Sequence, residues 1–286
     1  MTNIQWFPGH MTKAKRQMQE NLKLVDFVIE LRDARIVNSS MNPMLDKLIQ
    51  DKPRLVILTK KDKADNLETE KWVKFLRNET TEVIAIDALT ENVTTSIVKA
   101  TSKICSAKIA RMKKRGIRPR AMRAMVVGIP NVGKSTLINK IAKKKIAKTS
   151  DKPGVTKALQ WVKLNKDLEL LDTPGVLWPK FENVIVGYNL AIVGSINDNV
   201  LNLEDIVIYA LNFLIKAYPK NLEQRYQVSI QEDPYQLLAA IALSKKWLIK
   251  NEQIDYTRAY ATILNEIRNE KLGRITWEKV PNETNN

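Results

Sequence analysis

The sequence predicts an α/β fold: a mostly parallel sheet with flanking helices, followed by a small all-α C-terminal domain. Three observations carry this expectation. Short apolar runs alternate with helical patterns through the first half, as strands buried on both faces do in βαβ units. One of these runs opens into a glycine-bearing loop, Gly128–Ser135, and then a helix. Beyond about Pro179 the strand-like runs stop, and apolar residues recur at helical spacing.

Taken in order, Val25–Leu31 (VDFVIEL) is the first near-continuous apolar run and reads as a strand covered on both sides. Asn42-Pro43 then opens a short helix through MLDKLIQ, because proline is preorganised for a first helical turn. Leu55–Leu58 is the second strand and leads directly into Thr59-Lys60-Lys61-Asp62. Glu70–Arg77 follows as a helix and Val83–Ile86 as a third strand. From about Thr94 one long, increasingly basic helix is expected, ending in RMKKRGIRPR, Arg111–Arg120. Ala124–Val127 is the next strand and Lys134–Lys144 the helix after it. Leu159–Leu164 and Leu168–Leu171 form a hairpin around Asn165-Lys166-Asp167.

Three helices are read in the C-terminal part. Asn202 caps the first, with Ile206, Val207, Ala210, Leu211 and Leu214 facing inward. Asp233-Pro234 opens the second, with Leu237, Leu238, Ile241 and Leu248 on one face. Asp255 opens the third, with Tyr256, Tyr260, Ile263, Leu264 and Ile267 inward, Arg258, Arg268, Lys271 and Arg274 outward, and Gly273 as its stop. Residues 1–178 and 179–286 are the expected domains.

Composition narrows the function classes. The chain has 286 residues, 44% hydrophobic and 27% charged, ordinary for a soluble globular protein. Its charge balance is less ordinary: 47 Lys+Arg against 31 Asp+Glu gives +16 and a pI near 9.7. Such an excess suits a polyanionic partner, since neutralising phosphates releases condensed counterions; a merely soluble basic protein is the alternative. The single cysteine, Cys105, has no internal partner and is expected to be a half-buried reduced thiol. No apolar run is long enough for a membrane span, and the N-terminus lacks a secretion signal, so a cytoplasmic protein with no membrane partner is expected.

Five loops carry chemistry. Gly128-Ile-Pro-Asn131-Val132-Gly133-Lys134-Ser135 has the Walker A spacing between a strand and a helix. Its glycines let backbone N–H groups turn toward phosphates; Lys134 neutralises the β- and γ-phosphates, and the Ser135 hydroxyl ligates Mg²⁺. Thr136 extends the same helix start. The loop alone does not choose between ATP and GTP. The Asp62 carboxylate does: it can accept from both N1–H and the exocyclic amine of guanine, whereas adenine would leave it unpaired. The Lys60 stem can cover the base, and Lys61 completes the turn. Thr59 stands where such motifs usually carry Asn, and a charged turn is the competing reading of the whole tetrapeptide. Asp172-Thr-Pro-Gly175 follows a strand, which suits Asp172 reaching Mg²⁺ through water and the Gly175 N–H meeting a γ-phosphate. Thr156, in Pro153-Gly154-Val155-Thr156, is available to complete the metal shell. Asp87-Ala88, after the third strand, could offer a backbone N–H to guanine O6; this is the weakest of the signals.

With these residues in view, the chain resembles the Ras-like GTPases with their loops in circularly permuted order, guanine loops first and phosphate loops second. Trp6-Phe-Pro-Gly-His10-Met11, GIPNVGKST, DTPG followed by VLWPKF, and a helical C-terminal region are similar to the ribosome biogenesis GTPase A family. The resemblance implies GTP hydrolysis with Mg²⁺, a role in late assembly of the large ribosomal subunit and its rRNA, and an RNA-contacting helical domain. A monomer is expected. It also implies a K⁺ ligand at Asn131 and a catalytic His10. The position where Ras carries its water-orienting Gln is Val176, which cannot hydrogen-bond water, so another group must do so. His10 is the only histidine; without the resemblance, an ordinary surface histidine is the simpler reading. An RNA-binding factor that holds GTP structurally, with little turnover, is the alternative function.

Overall fold

Every residue of the first strand, β1 (Phe27–Asp33), is buried, and its side chains divide with period two between two cores. Phe27, Ile29 and Leu31 enter the main apolar cluster, whereas Val28 joins Met18, Leu22, Leu45 and Ile49 on the opposite face. The same division holds in β2 (Arg54–Thr59) and β4 (Met122–Gly128), which is why these segments read as continuous apolar runs. The structure, a computed structural model, describes residues 16, 18–49, 52–87, 92–118, 120–142, 160–164, 166–173, 183–197 and 202–281.

With β3 (Thr81–Ala85), β5 (Gln160–Lys163) and β6 (Leu168–Asp172), these strands form one sheet of order β3-β2-β1-β4-β6-β5. Every pairing is parallel except β5 with β6, the expected hairpin at the edge. The chain moves outward from β1 to β3 and then returns to place β4 on the other side of β1. The sheet therefore reverses direction between β1 and β4, and in open α/β sheets ligands bind outside the strands' carboxyl ends at such a point.

Helices α1 (Pro43–Ile49), α2 (Asn66–Leu76), α3 (Val93–Ile104), α4 (Ser106–Lys114) and α5 (Lys134–Ala142) flank the sheet. The helix α2 begins earlier than expected because the Asp65 side chain accepts from Leu67 and Glu68 N–H groups, capping it. The expected long basic helix is two, broken at Cys105. Val93, Ile97, Ala100 and Thr101 hold α3 against the core, whereas α4 has no buried residue and touches the core only through half-buried Ile109 and Met112. Cys105 itself is buried, not half-buried, and burial pushes its thiol up to about 11. A thiol so placed stays protonated at neutral pH and is inert.

The C-terminal region is helical: α6 (Val184–Ile192), α7 (Leu203–Ala217), α8 (Pro219–Tyr226), α9 (Pro234–Ser244) and α10 (Tyr256–Arg268). The caps read at Asn202, Asp233 and Asp255 each accept a first-turn N–H. Leu248 lies beyond α9, bridged to Ile254. Tyr256 is exposed, and Arg268 turns in to donate to the Ala191 and Ile192 carbonyls at the end of α6. Gly194 N–H also donates to the Ala191 carbonyl, at 3.0 Å, and at this negative end of the helix a guanidinium is stabilised. One apolar cluster runs from the sheet into these helices. Among the described residues, no helix is long and apolar enough to cross a membrane.

Candidate functional site

The carboxyl ends of β1, β2, β4 and β6 bring Asp33, Thr59, Gly128 and Asp172 to one edge of the sheet. Gly128 is required by close approach: a Cβ there would meet Val132 Cγ1 at 2.9 Å and the Leu31 carbonyl at 3.1 Å. Asn131 and Gly133 have positive φ, 58° and 99°, turning the loop before α5 begins at Lys134. The α5 N-terminus thus presents unpaired N–H groups with a partial positive charge, the setting that binds phosphate. Ser135 and Thr136, half-buried, stand in its first turn. Lys134 is buried, and its ammonium lies 2.8 Å from Asp172 Oδ1 across the strand gap. Thr173 donates to the Val126 carbonyl at 2.6 Å, tying the segment after β6 to β4.

The turn after β2 is bound tightly to this loop. The Thr59 hydroxyl lies 2.6 Å from the Val132 carbonyl and 3.1 Å from the Arg32 carbonyl; having one proton, it donates best to the nearer. Thr59 therefore ties the two loops together through its hydroxyl. Lys60, at φ 57°, donates to the Asn131 carbonyl at 2.7 Å and pairs with Asp33 at 2.9 Å. Lys61–Lys63 is a single 3₁₀ turn that carries Asp62. Lys61 N–H donates to the Ile86 carbonyl at 3.3 Å, drawing the segment after β3 alongside. Burial pushes the Asp62 carboxyl up from its ordinary value, and the neighbouring Asp87 charge adds to that.

Beneath Lys60 lies a cluster that sequence reasoning missed. Asp33, fully buried, accepts from Arg35 Nε at 2.9 Å and Nη2 at 2.7 Å. Burial acts to raise the Asp33 carboxyl, but the Arg35 and Lys60 charges outweigh it and hold it well below the usual range. The available signal was an acid at the end of β1, Asp33, with a base two residues on, Arg35. The Asn131 amide donates to the Gly194 carbonyl at 2.9 Å. His10, Ala88, Thr156, Gly175 and Val176 lie outside the described residues.

A family model described as "50S ribosome-binding GTPase" matches residues 123–241, from β4 into the helical region. A "Ribosome biogenesis GTPase A" from Priestia megaterium is 50% identical over 277 residues, 96% of each chain. Among solved structures, the GDP-bound structure of TM YlqF is 28% identical with TM-score 0.68, over 94% of this chain and 100% of that one. GNP-bound YlqF from T. maritima is 26% identical with TM-score 0.64, over 93% and 98%. With half its residues identical along nearly the whole of a curated relative, and the loops read as guanine and phosphate loops meeting in permuted order at one sheet edge, this chain belongs to the ribosome biogenesis GTPase A family.

Proposed function

We propose that the protein binds GTP across the crevice between β1 and β4 and hydrolyses it to GDP and phosphate. In this reading it is an assembly factor in late maturation of the large ribosomal subunit, cytoplasmic and monomeric, whose hydrolysis triggers release. The observation that carries the nucleotide part is the meeting of Lys134 and Asp172 with the Asp62 turn, joined through Thr59 and Lys60 to the P-loop backbone. The relatives' names support the ribosomal part.

The donor set fits a hard divalent cation, since Ser135 and Asp172 offer oxygen at the mouth of the P-loop. Bound Mg²⁺ offsets the charge on the transferring phosphate. Ser135 would hold it directly, Asp172 through water, and Thr156 would complete the set. Lys134 leaves Asp172 for the β- and γ-phosphates when nucleotide enters. Asp62 would accept from the guanine edge and the Lys60 stem would cover the base, while O6 and the γ-phosphate are assigned to the Asp87-Ala88 and Gly175 N–H groups. The Asn131 amide oxygen is the atom that would ligate K⁺. Arg111, Lys113, Lys114, Arg115 and Arg118 form an exposed basic surface for rRNA on and beyond α4. Lys108 and Arg120 are instead anchored on Asp26.

Sedimentation with ribosomal subunits and their precursors, in GDP, GTP and a non-hydrolysable analogue, tests the reading. Co-sedimentation with large-subunit particles should require the triphosphate. Equal binding in all three states would count against a switch, and absent turnover with particles would favour structural GTP.

His10→Ala is expected to leave GTP affinity within a few-fold and to lower particle-stimulated hydrolysis by ~10²-fold, the range for a positioned acid–base or orienting group. Single-turnover hydrolysis at saturating particle concentration measures this step. A wild-type rate there would remove His10 from the chemistry.

A further inference from the structure

The end of the chain keeps to the helices on one side, where Trp277 packs on Phe213 of α7 and Thr276 N–H donates to the Tyr218 hydroxyl, but reaches beyond them on the other. From Glu270 onward the chain crosses to the sheet and meets the two loops that frame the proposed guanine site. Ile275 N–H donates to the Lys63 carbonyl at 3.2 Å, and the Thr276 hydroxyl accepts from Asp65 N–H at 3.1 Å. The Lys63 ammonium pairs with the Glu270 carboxylate. The turn carrying Asp62 is thus held at its following residues by partners from beyond α10.

The second loop, after β1, is held as firmly. Trp277 N–H donates at 2.7 Å to the carbonyl of Arg35, the residue whose side chain braces Asp33 beneath Lys60. Glu278 accepts from Asn38 N–H at 2.6 Å, from Ser39 N–H at 2.9 Å and from the Ser39 hydroxyl. Its fourth donor is the Asn189 amide of α6, at 3.1 Å. Trp72 of α2 donates to the Glu278 carbonyl at 3.0 Å, and Val280 enters the apolar cluster of Trp72 and Ala64. Thr276 and Trp277 are buried.

We propose that Thr276 and Glu278 are positioning residues of the guanine site: Thr276 sets the Lys60–Asp65 turn directly, Glu278 fixes the loop after β1 whose Arg35 braces Asp33 beneath Lys60, and together they place the Asp62 carboxylate. The proposal rests on the assignment of Asp62 to guanine. Its consequence is reciprocal, because a segment that tightens nucleotide binding is itself tightened by nucleotide. A partner that lifts this segment would loosen GDP without touching the nucleotide.

The test uses the full chain, with GDP, ADP and inosine diphosphate, which lacks the exocyclic amine that Asp62 would engage. Thr276→Val and Glu278→Gln should each weaken GDP by about 10-fold, the scale of one net hydrogen bond. Inosine diphosphate should weaken less, so the GDP preference shrinks. Single-turnover hydrolysis of bound GTP should be unchanged, and Thr276→Ser, which keeps the hydroxyl, should restore wild-type binding. A tail that only stabilises the fold would lower both diphosphates equally and leave their ratio intact; that outcome, or unaltered GDP affinity, overturns the proposal.

Hydrogen exchange in the unmodified protein needs no variant. GDP should slow exchange at Ile275 and Trp277 together with the 60–65 turn, and protection confined to the turn overturns the proposal. A wild-type protein without preference for GDP over ADP would overturn the guanine assignment and this inference with it. Preference without response in the variants overturns this inference alone.

Discussion

Lys134→Ala is expected to lose both nucleotide hydrolysis and a large part of the protein's stability. The ammonium is buried and 2.8 Å from Asp172, itself buried. Removing one partner of a buried pair leaves the other charge uncompensated, at a cost of about 3–5 kcal/mol. Urea denaturation without nucleotide should show this loss. Replacing both partners, as Lys134→Met with Asp172→Asn, should recover most of it, since no isolated charge is left behind. Hydrolysis should not recover, because the lost ammonium no longer meets the developing phosphate charge, worth ~10²–10³ in rate for a comparable donor. If Lys134→Ala denatures like wild type, the pair contributes nothing to the folded state. If the double variant hydrolyses GTP normally, these residues are not the phosphate and metal ligands.

The second large effect is a change of base preference. Asp62→Asn substitutes an amide that cannot accept both guanine donors while presenting a donor of its own. GTP affinity should fall by ~10²-fold or more, the scale on which sites discriminate when a buried polar group loses its partner. Xanthosine triphosphate should bind the variant better than the wild type, since its C2 carbonyl accepts from the new amide. The fold should tolerate the change, because Asp62 is half-buried on a 3₁₀ turn and Asn is of similar volume. Competition binding with GTP, ATP and xanthosine triphosphate measures the outcome. Unchanged discrimination among them would sink the assignment of Asp62.

Some elements were legible for plain physical reasons. β1, β2 and β4 are covered on both faces, so their apolar runs have no other comfortable home. The caps at Asn202, Asp233 and Asp255 are local chemistry, legible without tertiary context. Other elements were not. In α8, PKNLEQRY, only Leu222 and Tyr226 are buried, too sparse to establish a period. In α6, VIVGYNLAI, apolar residues are nearly continuous, and a helical face cannot be separated from a buried run. The break at Cys105 falls within a continuous helix-forming sequence, after which only half-buried residues touch the core, and no local signal reports it.

For the site, the sequence by itself marked the loops to which phosphate and guanine chemistry is assigned. Each is a short stretch ending a strand or opening a helix, and its chemistry is specified by residue types at fixed spacing. Tertiary structure alone decided what holds those loops together. Thr59 reaches Val132 across 73 positions, Lys134 reaches Asp172 across 38, and Glu278 reaches Asn38 across 240. Such contacts depend on strand order and on the path of the chain after α10. A hydrogen bond between residues that distant leaves no periodicity and no spacing for a sequence to display.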